Sequence, residues 1–260
     1  EKMRVCIDNI NINYIMEGQG DAVLLLHGWG SNIKLFNGII KNLSKTHTVY
    51  ALDMPGFGES DEPKEAWNVD DYVDFVIKFI NEMKITKLSL LGHSFGGRVI
   101  IKMVNRENLD FQIDKLILVD SAGIKPVSSN KKTFKGQLYK FLKKIVGSKL
   151  IRKIFPEALN KLKCKFGSED YKNATPIMRD TLVKVVNEDL KDLLPNIKNS
   201  TLLIWGDKDE ATPISDAYTM NKLIKDSGIV TVEGAGHYSF LESPVLVNSV
   251  LNSFLGGRND

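Results

Sequence analysis

Two cysteines in 260 residues are too few and too far apart for a disulfide framework. Cys6 lies in an alternating, strand-like run, and Cys164 lies between lysines. Neither has a nearby Cys or His, so no metal cluster and no metal cofactor is expected from them. Idle thiols of this kind suit a reducing compartment, and a cytoplasmic setting is expected. No apolar stretch approaches the roughly 20 residues of a membrane-spanning helix. Charge of one sign is also scarce in net terms. The formal net charge is +3, too mild for the concentrated basic footprint of a nucleic-acid binder. Histidine is rare, at four residues, so each can be weighed singly.

What is present is ordinary for a folded globular chain: 43% hydrophobic and 26% charged residues, with no repeat period. Met3 to Ile7 and Ile10 to Glu17 read as strands separated by the turn signal Asp8-Asn9, an antiparallel hairpin. Ala22 to Leu26 is a continuous apolar run, as in a strand buried on both faces of a parallel sheet. Further strands are expected at Thr48–Leu52, Lys87–Leu91, Lys115–Val119, Thr201–Trp205 and Ile229–Val232. Helical spacing predicts a helix after the N-cap Asn68, running to about Met83, and others at Phe95 to about Asn105, Ser215–Lys225 and Ser243–Leu255. The alternation predicts an α/β fold, a mostly parallel sheet with an antiparallel N-terminal hairpin and helices on both faces. It breaks between about Ser121 and Lys198. That predicts a core of residues 1–120 and 199–260 interrupted by an inserted helical cap, 121–198.

Gly92-His93-Ser94-Phe95-Gly96 follows a strand and opens a helix. In that setting G-x-S-x-G places the serine on a sharp turn, where its neighbours must be small for backbone to pass. The helix start behind it directs free N–H groups at the reacting centre. His237 follows the strand Ile229–Val232, at the carboxyl edge where catalytic groups gather. His47 precedes a strand, and His27 and His93 belong to tight turns ahead of the serine. His237 is therefore the candidate base. An acid must orient it, and Asp207, Asp209, Glu210 and Asp120 all end strands at suitable places. Spacing alone does not choose between them. His27-Gly28-Trp29-Gly30 follows the strand Ala22–Leu26 and can turn an amide into the site. The backbone N–H groups of Trp29 and Phe95 are the candidate oxyanion hole.

These segments, with Asp53-Met54-Pro55-Gly56-Phe57-Gly58-Glu59-Ser60 and Trp205-Gly206-Asp207-Lys208-Asp209, resemble the α/β-hydrolase superfamily in order and context. The resemblance implies that Asp209, the aspartate of G-x-x-D after the sixth parallel strand, is the catalytic acid. It also implies a structural turn at Asp53–Ser60 and a reaction needing no organic cofactor. Ser94 is unlike dehalogenases and epoxide hydrolases, which carry aspartate there. Carbon–carbon bond hydrolases of the fold often have asparagine where this chain has His93, which leans the reading toward esters, thioesters or lactones of small to medium apolar acyl groups. A carbon–carbon bond hydrolase and a small-molecule receptor on the same scaffold are the alternatives.

Within the expected cap, thirteen basic residues from Lys125 to Lys165 face one acid, Glu157. Apolar residues, among them Phe134, Leu138, Phe141, Leu142, Ile145 and Phe155, interleave with helical spacing. This reads as an amphipathic cover for the site, its lysines in water. Attraction of those lysines to an anionic membrane surface or an acidic substrate is the alternative. A second cap helix is expected after Thr175-Pro176, running to about Asp189.

Overall fold

The computed structural model describes residues 2–125, 172–186 and 188–256. Its centre is an eight-stranded sheet. The strands are β1 (Lys2–Ile7), β2 (Ile10–Glu17), β3 (Ala22–Leu26), β4 (Thr48–Leu52), β5 (Lys87–His93), β6 (Gln112–Val119), β7 (Thr201–Gly206) and β8 (Ser227–Val232), in the order β1-β2-β4-β3-β5-β6-β7-β8. β1 and β2 form the antiparallel hairpin, and β2 also runs antiparallel to β4. All other pairings are parallel. At the hairpin turn Asp8 and Asn9 take φ of 51° and 62°, the left-handed pair that suits the twist of a two-residue turn.

Side chains alternate across each strand, which divides the core in two. Leu24, Leu26, Leu90, Leu118 and Leu203 face one side, against α2 (Val69–Glu82), α3 (Phe95–Met103) and α5 (Ile214–Leu223). Val23, Leu25, Leu91, Ile117 and Ile204 face the other, against α1 (Asn37–Leu43), the short α6 (Ser239–Glu242) and α7 (Pro244–Leu255). Helix α2 starts at a reciprocal cap: Asn68 Oδ1 accepts from Asp71 N–H at 2.9 Å, and Asp71 Oδ2 accepts from Asn68 N–H at 2.7 Å. Its buried stripe includes Tyr72, Phe75, Val76, Phe79 and Ile80, worth about 1.5–3 kcal/mol for each large apolar group removed from water.

Several features depart from the sequence pattern, among them the unsignalled short helical segments Ile33–Phe36 and Ser239–Glu242. Helix α1 is not signalled, because it opens without a side-chain cap and carries Gly38 in its first turn. Tertiary burial of Ile39, Ile40 and Leu43 makes it helical. Strand β6 begins at Gln112, before the fully apolar run, because its first half is only partly buried and carries polar residues.

Between β6 and β7 the described residues form α4 (Pro176–Val186) and a 3₁₀ turn, Lys191–Asn196. Helix α4 is held to the chain ahead of α2: Trp67 N–H donates to Thr181 Oγ1 at 3.0 Å, and Lys184 Nζ to Ala66 O at 2.8 Å. Cys164 and the lysine-rich run from Lys131 to Lys165 lie outside the described residues. No helix among the described residues is long and apolar enough to cross a membrane.

The α3 start is the tightest backbone crossing near the site. A Cβ added at Gly96 would sit 2.0 Å from Leu26 O, and one at Gly92 2.6 Å from the carbonyl carbon of Gly96. Neither obstacle is a flexible side chain. Gly96→Ala should therefore destabilise the fold by at least about 3 kcal/mol. Urea denaturation followed by circular dichroism checks this, and a midpoint unchanged from the parent would refute the crossing as a packing constraint.

Candidate active site

Ser94 closes β5 and starts α3 with φ 52° and ψ −114°, a conformation that L side chains rarely hold. Its backbone is pinned from both sides: Ser94 N–H donates to Val119 O at 3.2 Å, and Ser94 O accepts from Ala122 N–H at 3.0 Å. The result is an Oγ standing at the carboxyl edge of the parallel strands. Asp209 follows β7 and His237 follows β8, so the same edge receives all three residues.

They form one hydrogen-bonded chain. His237 Nε2 lies 3.0 Å from Ser94 Oγ. His237 Nδ1 lies 2.8 Å from Asp209 Oδ2. With Nδ1–H donating to the carboxylate, Nε2 is left free to accept the serine proton. Asp209 is wired further: its Oδ1 accepts from Ala211 N–H at 2.8 Å and Thr212 N–H at 2.9 Å. The Thr212 hydroxyl lies 2.8 Å from Oδ2. Burial alone would raise this carboxyl, but the hydrogen bonds from His237 and Thr212 outweigh it and hold Asp209 below the usual carboxylate range.

The rival acids are placed elsewhere. Asp120 is buried with φ 46°, and its carboxylate is consumed by other donors. Gly206 N–H reaches Oδ1 at 2.8 Å, while Ser239 N–H and Oγ reach Oδ2 at 3.0 and 2.6 Å. Burial pushes the Asp120 pKa up to about 6 in spite of those bonds. Asp207 accepts from Gly234 N–H at 2.7 Å, tying the loop after β7 to the loop after β8. Glu210 is exposed and is not part of the chain.

His27 is structural: its Nδ1–H donates to Gly28 O at 2.7 Å and its Nε2 accepts from Met54 N–H at 2.9 Å. Asp53 anchors the following turn, accepting from Asn13, Ile33 and Glu59 at 2.8–2.9 Å. His93 has a role that the sequence pattern did not reveal. Its Nε2–H donates to the backbone carbonyl of His237 at 2.7 Å, fixing the base from below. Burial drives the His93 pKa down to about 3, so the ring stays neutral and this tautomer persists. Thr212 and Ser239 were also not singled out from the sequence. Thr212 had a faint signal, as a hydroxyl three residues beyond the acid and just ahead of a helix. Ser239 had none.

The N–H groups of Trp29 and Phe95 donate to no acceptor among the described residues. The Trp29 ring packs edge-on against Phe57 at 4.8 Å and Phe95 at 5.7 Å. A cavity of about 330 Å³ opens over Ser94 and His237. Its apolar wall includes Trp29, Ile124 and, from α4, Leu182, Val185 and Val186. Two charged side chains, Arg98 and Asp216, also line it. No cluster of His, Cys, Asp or Glu among the described residues is arranged to hold a metal ion.

Residues 21–244 match the family model described as the alpha/beta hydrolase fold, and the chain belongs to that family. The AB hydrolase superfamily protein YisY of Bacillus subtilis is 28% identical over 256 residues, covering 91% of this chain and 92% of that protein. A 2-hydroxy-6-oxo-6-(2'-aminophenyl)hexa-2,4-dienoic acid hydrolase of Metapseudomonas resinovorans is 23% identical, covering 96% of this chain and 89% of that protein. The human monoacylglycerol lipase ABHD6 is 24% identical, covering 92% of this chain and 76% of that protein.

Asp216 yields a sign-definite stability prediction. Burial, and secondarily the negative charge of Asp209, raise its pKa from 3.8 to about 6. The folded state thus holds this proton more tightly than the unfolded chain, and the group's contribution to stability falls as pH rises from 3.8 to about 6. Asp216→Asn should raise the melting temperature above pH 6, with the gain shrinking as the pH drops toward 4. Thermal melts at several pH values check it; an equal shift at all of them would refute the charge argument.

Proposed function

We propose that this member of the α/β-hydrolase family is a serine hydrolase acting on an ester, thioester or lactone of a small to medium apolar acyl substrate. The observation that carries the reading is the unbroken chain Ser94 Oγ, His237, Asp209, at 3.0 and 2.8 Å. In this mechanism Ser94 Oγ attacks the carbonyl carbon while His237 Nε2 takes its proton. Asp209 holds the imidazole tautomer and stabilises the imidazolium. The negative oxygen of the tetrahedral intermediate is met by the N–H groups of Trp29 and Phe95. On collapse, His237 passes the proton to the leaving alkoxide or thiolate and the C–O or C–S bond breaks. Water, deprotonated by His237, then cleaves the acyl-enzyme and frees the acid and Ser94.

Residues 121–198 act in this reading as an inserted cap, of which α4 supplies the apolar ceiling of the cavity. Cleavage of a carbon–carbon bond by the same trio is the second reading. The relative named for a dienoic acid substrate favours it, whereas the lipase relative and His93 in place of asparagine favour the ester.

A fluorophosphonate probe should label the parent at Ser94 and leave Ser94→Ala unlabelled; failure to label the folded parent would sink the proposal. Asp209→Asn should reduce kcat on a p-nitrophenyl ester by about 10⁴-fold, as expected when the base is left in the wrong tautomer. A loss below about tenfold would move the acid elsewhere.

A further inference from the structure

The cavity over Ser94 contains a cation that acyl chemistry does not use. Arg98 lies four residues beyond the nucleophile on α3, and its side chain reaches the cavity wall. It is only 6% exposed. A guanidinium buried to this degree ordinarily faces a carboxylate, since an uncompensated buried charge is costly. Here no carboxylate lies within 4.0 Å of it among the described residues. One nitrogen, Nη1, donates to the backbone carbonyl of Glu188. The Glu188 carboxylate itself is taken by Lys102, which also holds Asp70. A guanidinium has five N–H donors, and one carbonyl uses only one of them. None of the Arg98 nitrogens is among the buried atoms closed off without a partner. The remaining nitrogens therefore retain some accessible surface, in a residue that lines the cavity.

We infer that Arg98 is a carboxylate-recognition element of the substrate pocket, so that the substrate carries an anionic carboxylate group on an apolar body. The fork geometry matches a carboxylate in bidentate fashion, and the low-dielectric wall strengthens the pairing. The Glu188 and Asp189 carboxylates lie near enough to favour the charged guanidinium but make no direct pair with it, and a ligand carboxylate would supply that direct pairing. The apolar body would lie along Leu182, Val185 and Val186. Asp216, the other charged side chain among the described residues lining the cavity, makes no ion pair among the described residues and repels an anion from its own side. It sets the polarity of the pocket and turns the acidic end of a ligand toward Arg98. The choice of Ser94 as the reacting group rests on the proposed function; the recognition of a carboxylate does not.

The rival role for Arg98 is a tether that only holds the chain at Glu188. Calorimetric titration separates the two, using hexanoate, hexanamide and hexylamine as probes on the full chain near pH 7.5. The parent should bind hexanoate at least about tenfold more tightly than hexanamide, the lower range of a charge-assisted hydrogen bond. In Arg98→Gln that ratio should fall to about one, and in Arg98→Lys, which keeps the charge but loses the fork, it should lie between. Equal affinity of the parent for hexanoate and hexanamide overturns the inference, as does tighter binding of hexylamine. So does a ratio unchanged in Arg98→Gln, which leaves only the tether. If Arg98→Gln fails to fold, Arg98→Lys carries the comparison, and a ratio unchanged in it overturns the inference, because hexanoate can also bind as a product acid beside Ser94. An independent arm compares kcat/KM for the 4-nitrophenyl half-ester of succinate with that for 4-nitrophenyl butyrate, the half-ester being preferred. Retained hexanoate selectivity without any ester turnover would refute the ester reading and leave carboxylate recognition standing.

Discussion

The close passage of the α3 start across the carboxyl ends of β3 and β5 governs the arrangement of everything around it. Gly96 lies against the carbonyl of Leu26 with no room for a Cβ, and Gly92 lies against Gly96 in turn. That crossing leaves Ser94 no ordinary backbone conformation, and it takes φ 52°. Strain of this kind costs on the order of 1–3 kcal/mol and persists only where the surroundings over-determine it. The surroundings are the buried carboxyl-terminal halves of the strands on either side and the two backbone hydrogen bonds to Val119 and Ala122. The return on the strain is geometric. Oγ stands above the sheet edge, Phe95 N–H is left without an acceptor among the described residues, and both residues line one cavity.

Three buried carboxylates lie at the same end of the sheet, and their hydrogen bonds assign them different work. Asp53 accepts three donors and holds the turn after β4. Asp120 spends its oxygens on Gly206 and Ser239, so it stitches the end of β7 to the residues just beyond His237. Only Asp209 keeps an oxygen for the imidazole. Asp120 and His93 act on the base indirectly. One fixes Ser239, two residues past His237, and the other holds the His237 carbonyl. The imidazole is thus steered by its carboxylate and by its own backbone, which limits its rotation toward and away from Ser94.

Much of this was legible in the amino-acid sequence, for identifiable reasons. Period-2 and continuous apolar runs mark strands because each residue's facing is set by the pleat, and α2 declares itself through Asn68, Asp71 and its stripe. Ser94 and His237 stand out because turn chemistry and chain order restrict where a nucleophile and a base can sit. The choice among Asp120, Asp207 and Asp209 was not legible from spacing. It depends on which donors fold back onto each carboxylate: Thr212 lies three residues from Asp209, but Ser239 and Gly234 are distant in sequence from Asp120 and Asp207 though near in space. Helix α1 was hidden because tertiary burial, rather than capping or propensity, makes it helical. The tasks of His93 and Arg98 were equally hidden, since both read as ordinary members of a strand–turn–helix motif.

The separation between the reacting trio and the walls of the cavity has a chemical consequence. Ser94, His237 and Asp209 are held together at the sheet edge, and on the proposed reading their geometry serves any carbonyl presented to them. Selection among substrates falls to groups contributed by other elements: α4 provides apolar surface, α3 provides Arg98, and α5 provides Asp216. The last two carry opposite charges, so the field across the cavity has a direction. A ligand with a charged end is oriented as well as bound, and orientation determines which of its carbonyls meets Ser94 Oγ. An apolar wall alone would discriminate by size, at about 1–3 kcal/mol per methylene. A buried charge discriminates more steeply, because the wrong ligand leaves the guanidinium desolvated and unpaired. On the proposed reading, Arg98 and Asp216 therefore select the ligand's charge before chain length contributes.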